Sequence, residues 1–298
     1  MAHNQGMKQR ERQIYDSIAE AYDNWLAHYN ALFAADLIDL MSPQKGETAL
    51  DIAGGSGPAG LKLAERIGTE GSVTIIDISP AMLQQAAKNA AGRMLTNIRT
   101  LHMDAEKLDF SNASFDLITC TFGVMTFPDV PKALAEAYRV LKPGGRIGFA
   151  VWSVPERFPL YAQPMTIFMD RMAPFPMRLL LRLPLIGSRI RRKILISGGP
   201  FGFSPARFCL PGSLERLLRR AGFQSIRREL CAFPLESETF EEFWDQLMKA
   251  DPTGGTRVSE KILSEIKVEM RRKLVHPKTG GILMFNEAAL ILAQKPSG

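Results

Sequence analysis

The sequence contains little cysteine and little histidine. Its 298 residues include three cysteines and four histidines, with no C-x-x-C pair and no spacing typical of metal ligands. We therefore predict no metal site, and free, scattered cysteines suit a reducing compartment. No apolar run reaches the roughly 18 residues of a membrane-spanning helix. The polar first residues, MAHNQGMKQRERQ, lack the features of a secretory signal. These absences predict a cytoplasmic protein.

The composition is that of an ordinary globular protein whose positive charge is concentrated in one place. The formal charge is +6, yet the stretch Arg171–Lys193 alone holds seven basic residues and no acidic one. Apolar side chains alternate with these basic residues, which is typical of a cationic amphipathic segment. The stretch could lie at an anionic membrane surface, peripherally, or cover a cavity as a lid with solvated arginines. No RNA-binding module accompanies it, so we expect no nucleic-acid partner.

Short apolar strand patterns alternate with helix patterns between Thr48 and Trp152. The strand patterns are TALDI, VTIID, IRTLHM, FDLITCT and RIGFAVW, and two later ones are SIRRELCAF and AALILAQK. Ser79 and Pro80 begin one intervening helix with the residues typical of an N-cap and a first turn. The alternation predicts an α/β fold: a doubly wound, Rossmann-like sheet of seven mostly parallel strands with helical lid insertions.

Changes in this regularity predict four regions along the chain. Apolar side chains recurring at helical spacing predict a helix from Gln9 to Tyr29 and a second from Ala31 to Met41. The regions, in order, are an N-terminal helical cover (1–45), a Rossmann-like core (46–152), a Pro-, Met- and Arg-rich lid insertion (153–207), and a C-terminal part that completes the sheet (208–298) and carries a helical insertion (239–275).

The turn after the first strand has the sequence Gly55-Ser-Gly57-Pro-Ala-Gly60, a G-x-G-x-x-G pattern. This pattern is typical of dinucleotide binding, since its glycines let the backbone approach a ligand closely. Asp77 ends the second strand, 20 residues after Gly57, and its carboxylate can accept hydrogen bonds from ribose hydroxyls. The glycines and Asp77 fit NAD and S-adenosylmethionine equally well.

Three features separate these two ligands. Asp51 lies in the first strand close to the turn, where a carboxylate would repel a pyrophosphate but attract an ammonium group. Asp104 ends the third strand and can accept from an adenine amino group, while Ala105 leaves room for the ring. No histidine or tyrosine–lysine pair is placed for hydride transfer. The pattern favours S-adenosylmethionine, and an NAD-dependent oxidoreductase rests on the glycines alone.

The motifs LDIAGGSG, IIDISPAML, HMDAEKLDFSNASFDLITCTFGV and AYRVLKPGG occur in this order at natural spacings. Together they resemble the class I S-adenosylmethionine-dependent methyltransferases, and most of all the ubiquinone/menaquinone C-methyltransferase branch. The resemblance covers about Tyr15 to Trp152. The chain departs from that branch at Pro58 and in the stretch after AVWSVPERFPLY, which does not resemble the branch's short ending.

The motifs and the resemblance together suggest which residues form the site. The cofactor-binding residues would be Tyr22, Asp51, Ala53, Gly54, Gly55, Gly57, Asp77, Ile78, Met82, Asp104, Ala105 and Thr121. The acceptor pocket would contain Trp25, Phe122, Phe127 and Trp152, and the aromatic face of the first helix could contact a sulfonium through its π electrons. His28 is a candidate general base, although an ordinary surface position is an open alternative for it.

These features predict a methyltransferase that uses S-adenosylmethionine and acts on a small, largely apolar acceptor. A quinone precursor, a phenol or a lipid-like molecule would suit the Phe-, Met- and Leu-rich covers. The sequence leaves C-methylation and O-methylation open, because only O-methylation calls for a base such as His28. Two alternatives also stay open: an S-adenosylmethionine-binding accessory protein without turnover, and an RNA methyltransferase. The oligomeric state is not predicted.

Overall fold

The computed structural model describes residues 2–172, 181, 183–197, 204, 206–250 and 259–297. Within these residues, seven strands form a sheet in the order β3-β2-β1-β4-β5-β7-β6. Their bounds are β1 Thr48–Ile52, β2 Ser72–Asp77, β3 Ile98–His102, β4 Phe115–Thr121, β5 Leu141–Trp152, β6 Gln224–Ser237 and β7 Ile282–Gln294. Only β7 runs antiparallel to its neighbours. The predicted fold class is therefore confirmed.

The central strands β1, β2 and β4 are buried on both faces, which explains their nearly continuous apolar sequences. The chain runs outward from β1 to β3, then returns to place β4 on the other side of β1. Connections on the two sides of this reversal diverge, so a crevice opens at the carboxyl ends of β1 and β4. Doubly wound sheets bind their ligands in such a crevice.

Helices cover both faces of the sheet. Their bounds are α1 Ala2–Tyr22, α2 His28–Met41, α3 Pro58–Ile67, α4 Pro80–Gly92, α5 Val130–Val140, α6 Pro159–Met172, α7 Pro184–Ser197, α8 Ser213–Arg220, α9 Phe240–Ala250 and α10 Glu260–Leu274. The predicted cap of α4 is confirmed, because the Ser79 hydroxyl accepts from the backbone N–H of Met82. Among the described helices, none has the length and apolar character needed to cross a membrane.

The N-terminal cover differs from the two predicted helices. The chain is helical without a break from Ala2 to Met41, with a π-helical segment at Asp23–Ala27 between α1 and α2. The physical reason is that no glycine or proline occurs between Met7 and Met41 to end the helix. The π segment turns Asp23 inward, where its carboxylate accepts hydrogen bonds from Gln85 (2.8 Å) and Asn89 (2.9 Å) of α4.

Two further bounds differ from those predicted. The strand expected from Arg146 begins at Leu141, since β5 absorbs the Pro-Gly-Gly sequence by a register shift against β4. The helical insertion expected over 239–275 is two helices, α9 and α10, and residues 251–258 between them lie outside the described residues. Several residues of the lid insertion, 173–180, 182, 198–203 and 205, also lie outside them. The division into four regions stays a prediction.

A buried hydrogen-bond network joins the cover to the C-terminal strands. The Tyr29 hydroxyl donates to the carbonyl of Phe233 in β6 at 2.7 Å and accepts from the Asn286 amide at 3.1 Å. Asn286, in β7, is fully buried, and its side-chain oxygen accepts from the backbone N–H of Leu160 at the start of α6. The network therefore holds α2, α6 and the far edge of the sheet in one arrangement.

We expect Tyr29→Phe to lower the free energy of unfolding by about 1–3 kcal/mol, because it leaves buried groups of Phe233 and Asn286 without one partner each. Urea unfolding followed by circular dichroism measures the change. Tyr138→Phe is the matched control, since the Tyr138 hydroxyl has no hydrogen-bond partner among the described residues. Equal midpoints for the two variants would contradict a structural role for the network.

Candidate active site

A cavity of about 1040 Å³, measured to its open mouth, lies at the carboxyl ends of β1 to β5. The connections after β1, β2, β3 and β4 form its walls, and Trp152 at the end of β5 closes one side. Helix α1 covers it from above, while Asn30 of α2 and Tyr161 of α6 complete the lining. The crevice required by the strand order is therefore a concave site lined by the turns that follow the strands.

Most residues predicted for the site line this cavity. They are Tyr22, Ala53, Gly55, Asp77, Ile78, Met82, Asp104, Ala105, Thr121, Phe122, Phe127 and Trp152. They come together because each follows a parallel strand at the same edge of the sheet or faces that edge from α1 or α4. Their individual roles in cofactor or acceptor binding stay predictions.

Asp51 supports the glycine turn from beneath and is not part of the cavity lining. Its side chain is fully buried and accepts from the backbone N–H of Gly60 (2.9 Å) and from the Thr119 hydroxyl (2.8 Å). A Cβ on Gly54 would lie 2.6 Å from this carboxylate, so only glycine fits there. Burial raises the pKa of Asp51 to about 7. Asp51 lies behind the cavity lining, and its attraction of an ammonium group, directly or through water, stays a prediction.

Two non-glycine residues beside the cavity have left-handed backbone conformations. Ala53, after β1, has φ of +52°, and Phe122, after β4, has φ of +59°. The two turns touch, since a Cβ on Gly123 would lie 2.6 Å from the Cβ of Ala53. Such conformations cost about 1–3 kcal/mol each and concentrate at functional sites. The strain exposes backbone groups of both turns to the same space.

Asp77 holds the glycine turn from the side. Its carboxylate accepts from the backbone N–H of Gly55 at 3.0 Å and from that of Ser79 at 2.9 Å. Burial raises the pKa of Asp77, and these hydrogen bonds oppose the rise. Each oxygen keeps a further lone pair, and the side chain lines the cavity. Asp77 therefore has acceptor capacity left at the cavity, and its contact with ribose hydroxyls stays a prediction.

Lys8 ties the cover helix to the loop after β3. Its ammonium group lies 2.7 Å from a carboxylate oxygen of Asp104 and 2.5 Å from one of Glu106. Glu106 is buried and also accepts from the backbone N–H of Asp129. Nothing in the sequence marks Lys8 as a site residue, because only a helix that begins at Ala2 brings this residue over the sheet.

Phe122, Trp152 and Tyr161 line the side of the cavity near β4 and β5, and the fully buried rings of Phe33 and Phe158 pack behind them. Phe122 stacks on Trp152 with ring centres 4.2 Å apart, and Trp152 stacks in turn on Phe158 at 5.9 Å. Phe33 supports the stack edge-on, and Tyr161 lies 5.9 Å from Trp152 at a tilt. Offset and edge-to-face packing of this kind fixes ring positions. We call these five residues the aromatic wall.

Like Asp51, the predicted residues Gly54, Gly57, Trp25 and His28 are not part of the cavity lining. Trp25 packs edge-on against Phe243 of α9, with ring centres 5.9 Å apart. His28 is exposed, its Nδ1 lies 2.7 Å from the carbonyl oxygen of Asp23, and it borders a separate surface concavity. The structure therefore places neither Trp25 nor His28 in the lining of this cavity. The π segment at Asp23–Ala27 changes the helical phase on which both assignments relied.

Other residues of the lining were not predicted as site residues, although Met103, Glu106 and Gly123 lie within one of the quoted motifs. They are Lys8, Glu11, Tyr15, Asn30, Met103, Glu106, Gly123, Met125, Thr126, Pro128 and Tyr161. Some of them neighbour the predicted residues in sequence, so their positions on the same turns gave a weak signal. The residues of α1, α2 and α6 gave no signal in the sequence, because the orientation of a helix on the sheet decides which of its side chains face the cavity.

The residues present fit S-adenosylmethionine. The cavity lining carries the carboxyls of Glu11, Asp77, Asp104 and Glu106 but only one described basic side chain, Lys8. Negative potential favours a sulfonium and an ammonium group, and it disfavours the pyrophosphate of a dinucleotide. The strained turns and the glycines provide the close backbone approach that an adenosine ligand needs.

We expect Asp77→Asn to weaken binding of S-adenosylhomocysteine by about tenfold to a hundredfold, because it removes a charged hydrogen-bond acceptor beside the ribose position. Isothermal titration calorimetry measures the affinity. Asp109→Asn, which changes an exposed carboxylate of the loop after β3, serves as the matched control. If the Asp77 variant retains its fold and binds as tightly as the control, Asp77 does not contact the ligand.

Comparisons with known proteins agree with this site. The model of the ubiE/COQ5 methyltransferase family matches residues 4–182. The chain is 34% identical to a demethylmenaquinone methyltransferase of Staphylococcus epidermidis, over 58% of this chain and 73% of that protein. It is 38% identical to a ubiquinone/menaquinone biosynthesis C-methyltransferase of Brucella anthropi, over 49% of this chain and 61% of that protein.

A likeness to solved structures supports the fold. The YcgJ protein of Bacillus subtilis superposes with a TM-score of 0.57 at 19% identity, over 91% of this chain and 100% of that one. The family match covers more than half of the chain and includes every turn that lines the cavity after β1 to β4. The chain belongs to the ubiE/COQ5 methyltransferase family, and it is an S-adenosylmethionine-dependent methyltransferase.

Proposed function

We propose that the protein methylates a ring carbon of a small aromatic acceptor of the quinone-precursor class, in its reduced, hydroquinone form. The observation that carries this proposal is the aromatic wall, which stands in the same cavity as the acidic turns. A flat ring can stack against such a wall and be held edge-on to a methyl donor. The names of the two relatives, a demethylmenaquinone methyltransferase and a quinone-biosynthesis C-methyltransferase, support the same acceptor class.

The protein's part in this reaction is positioning and exclusion of water. S-adenosylmethionine, when bound, supplies a methyl carbon that is already activated by the sulfonium charge. Asp77 and the glycine turn would hold the adenosine half, and the aromatic wall would orient the acceptor ring. Holding both reactants in line replaces a bimolecular encounter, and this lowers the activation free energy by several kcal/mol. The buried stack also keeps water from the reacting carbon.

The alternatives of an accessory protein and of an RNA methyltransferase are not favoured. The relatives that match over the site are named as small-molecule methyltransferases. Within the basic stretch 171–193, Arg171 lies close to Glu265 and Glu269, and Arg191 forms a bidentate pair with Asp170. Pairing of these guanidinium groups within the chain leaves less charge for phosphate contacts.

We expect the purified protein to transfer a methyl group from S-adenosylmethionine to 1,4-dihydroxynaphthalene under anaerobic conditions. Mass spectrometry of the product, with a deuterated methyl donor, detects the transfer and shows whether carbon or oxygen carries it. Naphthalene, which lacks the hydroxyls that activate the ring, is the control acceptor. Tight binding of S-adenosylhomocysteine without transfer to any hydroquinone would instead favour the accessory protein.

We also propose that the stretch 171–193 contacts an anionic membrane surface, where lipid-soluble quinone precursors reside. Residues 173–180 and 182 of this stretch lie outside the described residues. In the described part, Leu183 and Ile186 are exposed apolar side chains, and Arg189 and Lys193 are exposed basic ones at helical spacing in or next to α7. Apolar and basic side chains on one exposed helix suit the interface of an anionic bilayer.

We expect the double variant Arg189→Glu and Lys193→Glu to bind anionic lipid vesicles at least about tenfold more weakly than the wild type, since each basic residue near such a surface contributes about 1 kcal/mol. Cosedimentation with phosphatidylglycerol vesicles measures binding. The control carries Arg219→Glu and Arg220→Glu, an equal change of charge on exposed residues of α8. Equal losses in both variants would point to net charge alone and contradict a local contact.

A further inference from the structure

Four carboxyl groups line the cavity, and three of them are occupied by donors from the chain. Asp77 accepts from two backbone N–H groups. Asp104 is paired with Lys8 and accepts from the N–H of Glu106, and Glu106 is paired with the same lysine. The fourth, Glu11 of α1, has no hydrogen-bond or ion-pair partner among the described residues. Its carboxyl is therefore free to engage a ligand.

Glu11 lines the same cavity as Phe122, Trp152 and Tyr161 of the aromatic wall. It lies one helical turn after Lys8 and one turn before Tyr15, on the face of α1 that covers the site. The pKa of Tyr15 is raised chiefly by burial, and then by Tyr22, Glu11, Tyr161 and Asp77. Glu11 and Tyr161 both line the cavity, and the ring of Tyr161 lies 5.9 Å from that of Trp152 in the aromatic wall. An acceptor ring on that wall would therefore occupy the cavity that Glu11 lines.

The other groups in the cavity lining are poorly suited to take a proton. No histidine is among the described lining residues. Burial raises the pKa of Tyr22 to about 12 and that of Tyr15 well above its usual range, so both stay protonated at neutral pH. Besides its neighbour Arg10, the titratable and charged groups that face the space around Glu11 are Lys8, Tyr15, Tyr22, Asp77, Asp104, Glu106 and Tyr161.

We propose that Glu11 is the general base that removes the hydroxyl proton of the aromatic acceptor. This role rests on the proposed function, since it requires an acceptor with a ring hydroxyl. It adds a catalytic residue on the cover helix, upstream of every sequence motif in the chain.

Protons and electrons balance in the proposed methyl transfer. The Glu11 carboxylate takes the hydroxyl proton, and the electron pair left on oxygen raises the electron density of the ring. The ring carbon forms a bond to the methyl carbon while the bond from that carbon to sulfur breaks, its electron pair remaining on sulfur. The methylated ring carbon then loses its own proton to water, which restores aromaticity, and Glu11 returns the first proton to oxygen. The net change is one methyl transferred and one proton released.

Burial raises the pKa of Glu11 to about 7, with Arg10 acting weakly in the opposite direction. A base is active only in its deprotonated form, so the rate should rise with pH through about 7 and level off above it. A pKa near the working pH also gives a carboxylate more proton affinity than an exposed glutamate has. The pH profile is therefore a direct signature of this group.

The test compares Glu11→Gln, Glu11→Asp and the wild type in single-turnover methylation of 1,4-dihydroxynaphthalene between about pH 5 and pH 9, a range that brackets this pKa. Glu20→Gln is the matched control, an exposed glutamate of the same helix. Calorimetry measures the affinity of each variant for S-adenosylhomocysteine, and then the affinity of that complex for the acceptor as a function of pH. This second measurement does not depend on turnover.

We expect Glu11→Gln to lower the rate by about a hundredfold or more and to abolish its rise through pH 7, with donor affinity unchanged. Glu11→Asp should restore part of the rate together with the pH dependence, and Glu20→Gln should match the wild type. A wild-type rate and pH profile in Glu11→Gln would overturn the role of Glu11. So would a loss of donor affinity as large as the loss of rate. Failure of the wild type itself to methylate any hydroquinone would overturn the proposed function instead.

Discussion

The hydrogen bonds of one buried carboxylate, Asp51, hold the site together. Asp51 belongs to β1, and its two oxygens accept from Gly60 of α3 and Thr119 of β4. It therefore joins the first strand, the helix that follows it and the strand on the other side of the crevice. The cost of burying this carboxylate is offset by those two donors, and its raised pKa shows that the compensation is incomplete. The strained turns at Ala53 and Phe122 follow β1 and β4, the two strands that this carboxylate joins.

The long N-terminal helix covers the site and supplies the part of its lining that the sheet edge does not. The sheet edge supplies turns that suit the donor, but an open edge would leave both reactants in water. Lys8 and Asp23 fasten the helix to the β3 loop and to α4, and Tyr29 fastens it to the last two strands. These ties are polar and lie at three points along the helix. They hold Glu11, Tyr15 and Tyr22 over the acidic turns, where a methyl acceptor would meet its donor.

Most of the predicted residues that line the cavity lie at the ends of parallel strands, while Tyr22 and Met82 face that edge from α1 and α4. Asp77, Asp104 and Phe122 could be placed together from sequence alone, because the carboxyl ends of parallel strands share an edge. Trp25 and His28 were misplaced, because a regular helical spacing was assumed where a π segment alters the phase. No sequence pattern indicates that Lys8, Glu11 and Tyr161 line the cavity, since neighbouring residues do not show which face of a covering helix meets the sheet.

The sequence by itself determined the fold class, the order of the strands and helices in the chain, the glycine turn and the acidic strand ends. These follow from local periodicity and turn chemistry, which act between residues a few positions apart. Only the tertiary structure decided that Asp51 supports the turn from beneath, and that Glu11 alone among the lining carboxyls lacks a donor within the described part of the chain. Burial and pairing depend on residues far apart in sequence. The free carboxyl of Glu11 is visible only after the chain has brought Lys8 to Asp104 and Glu106.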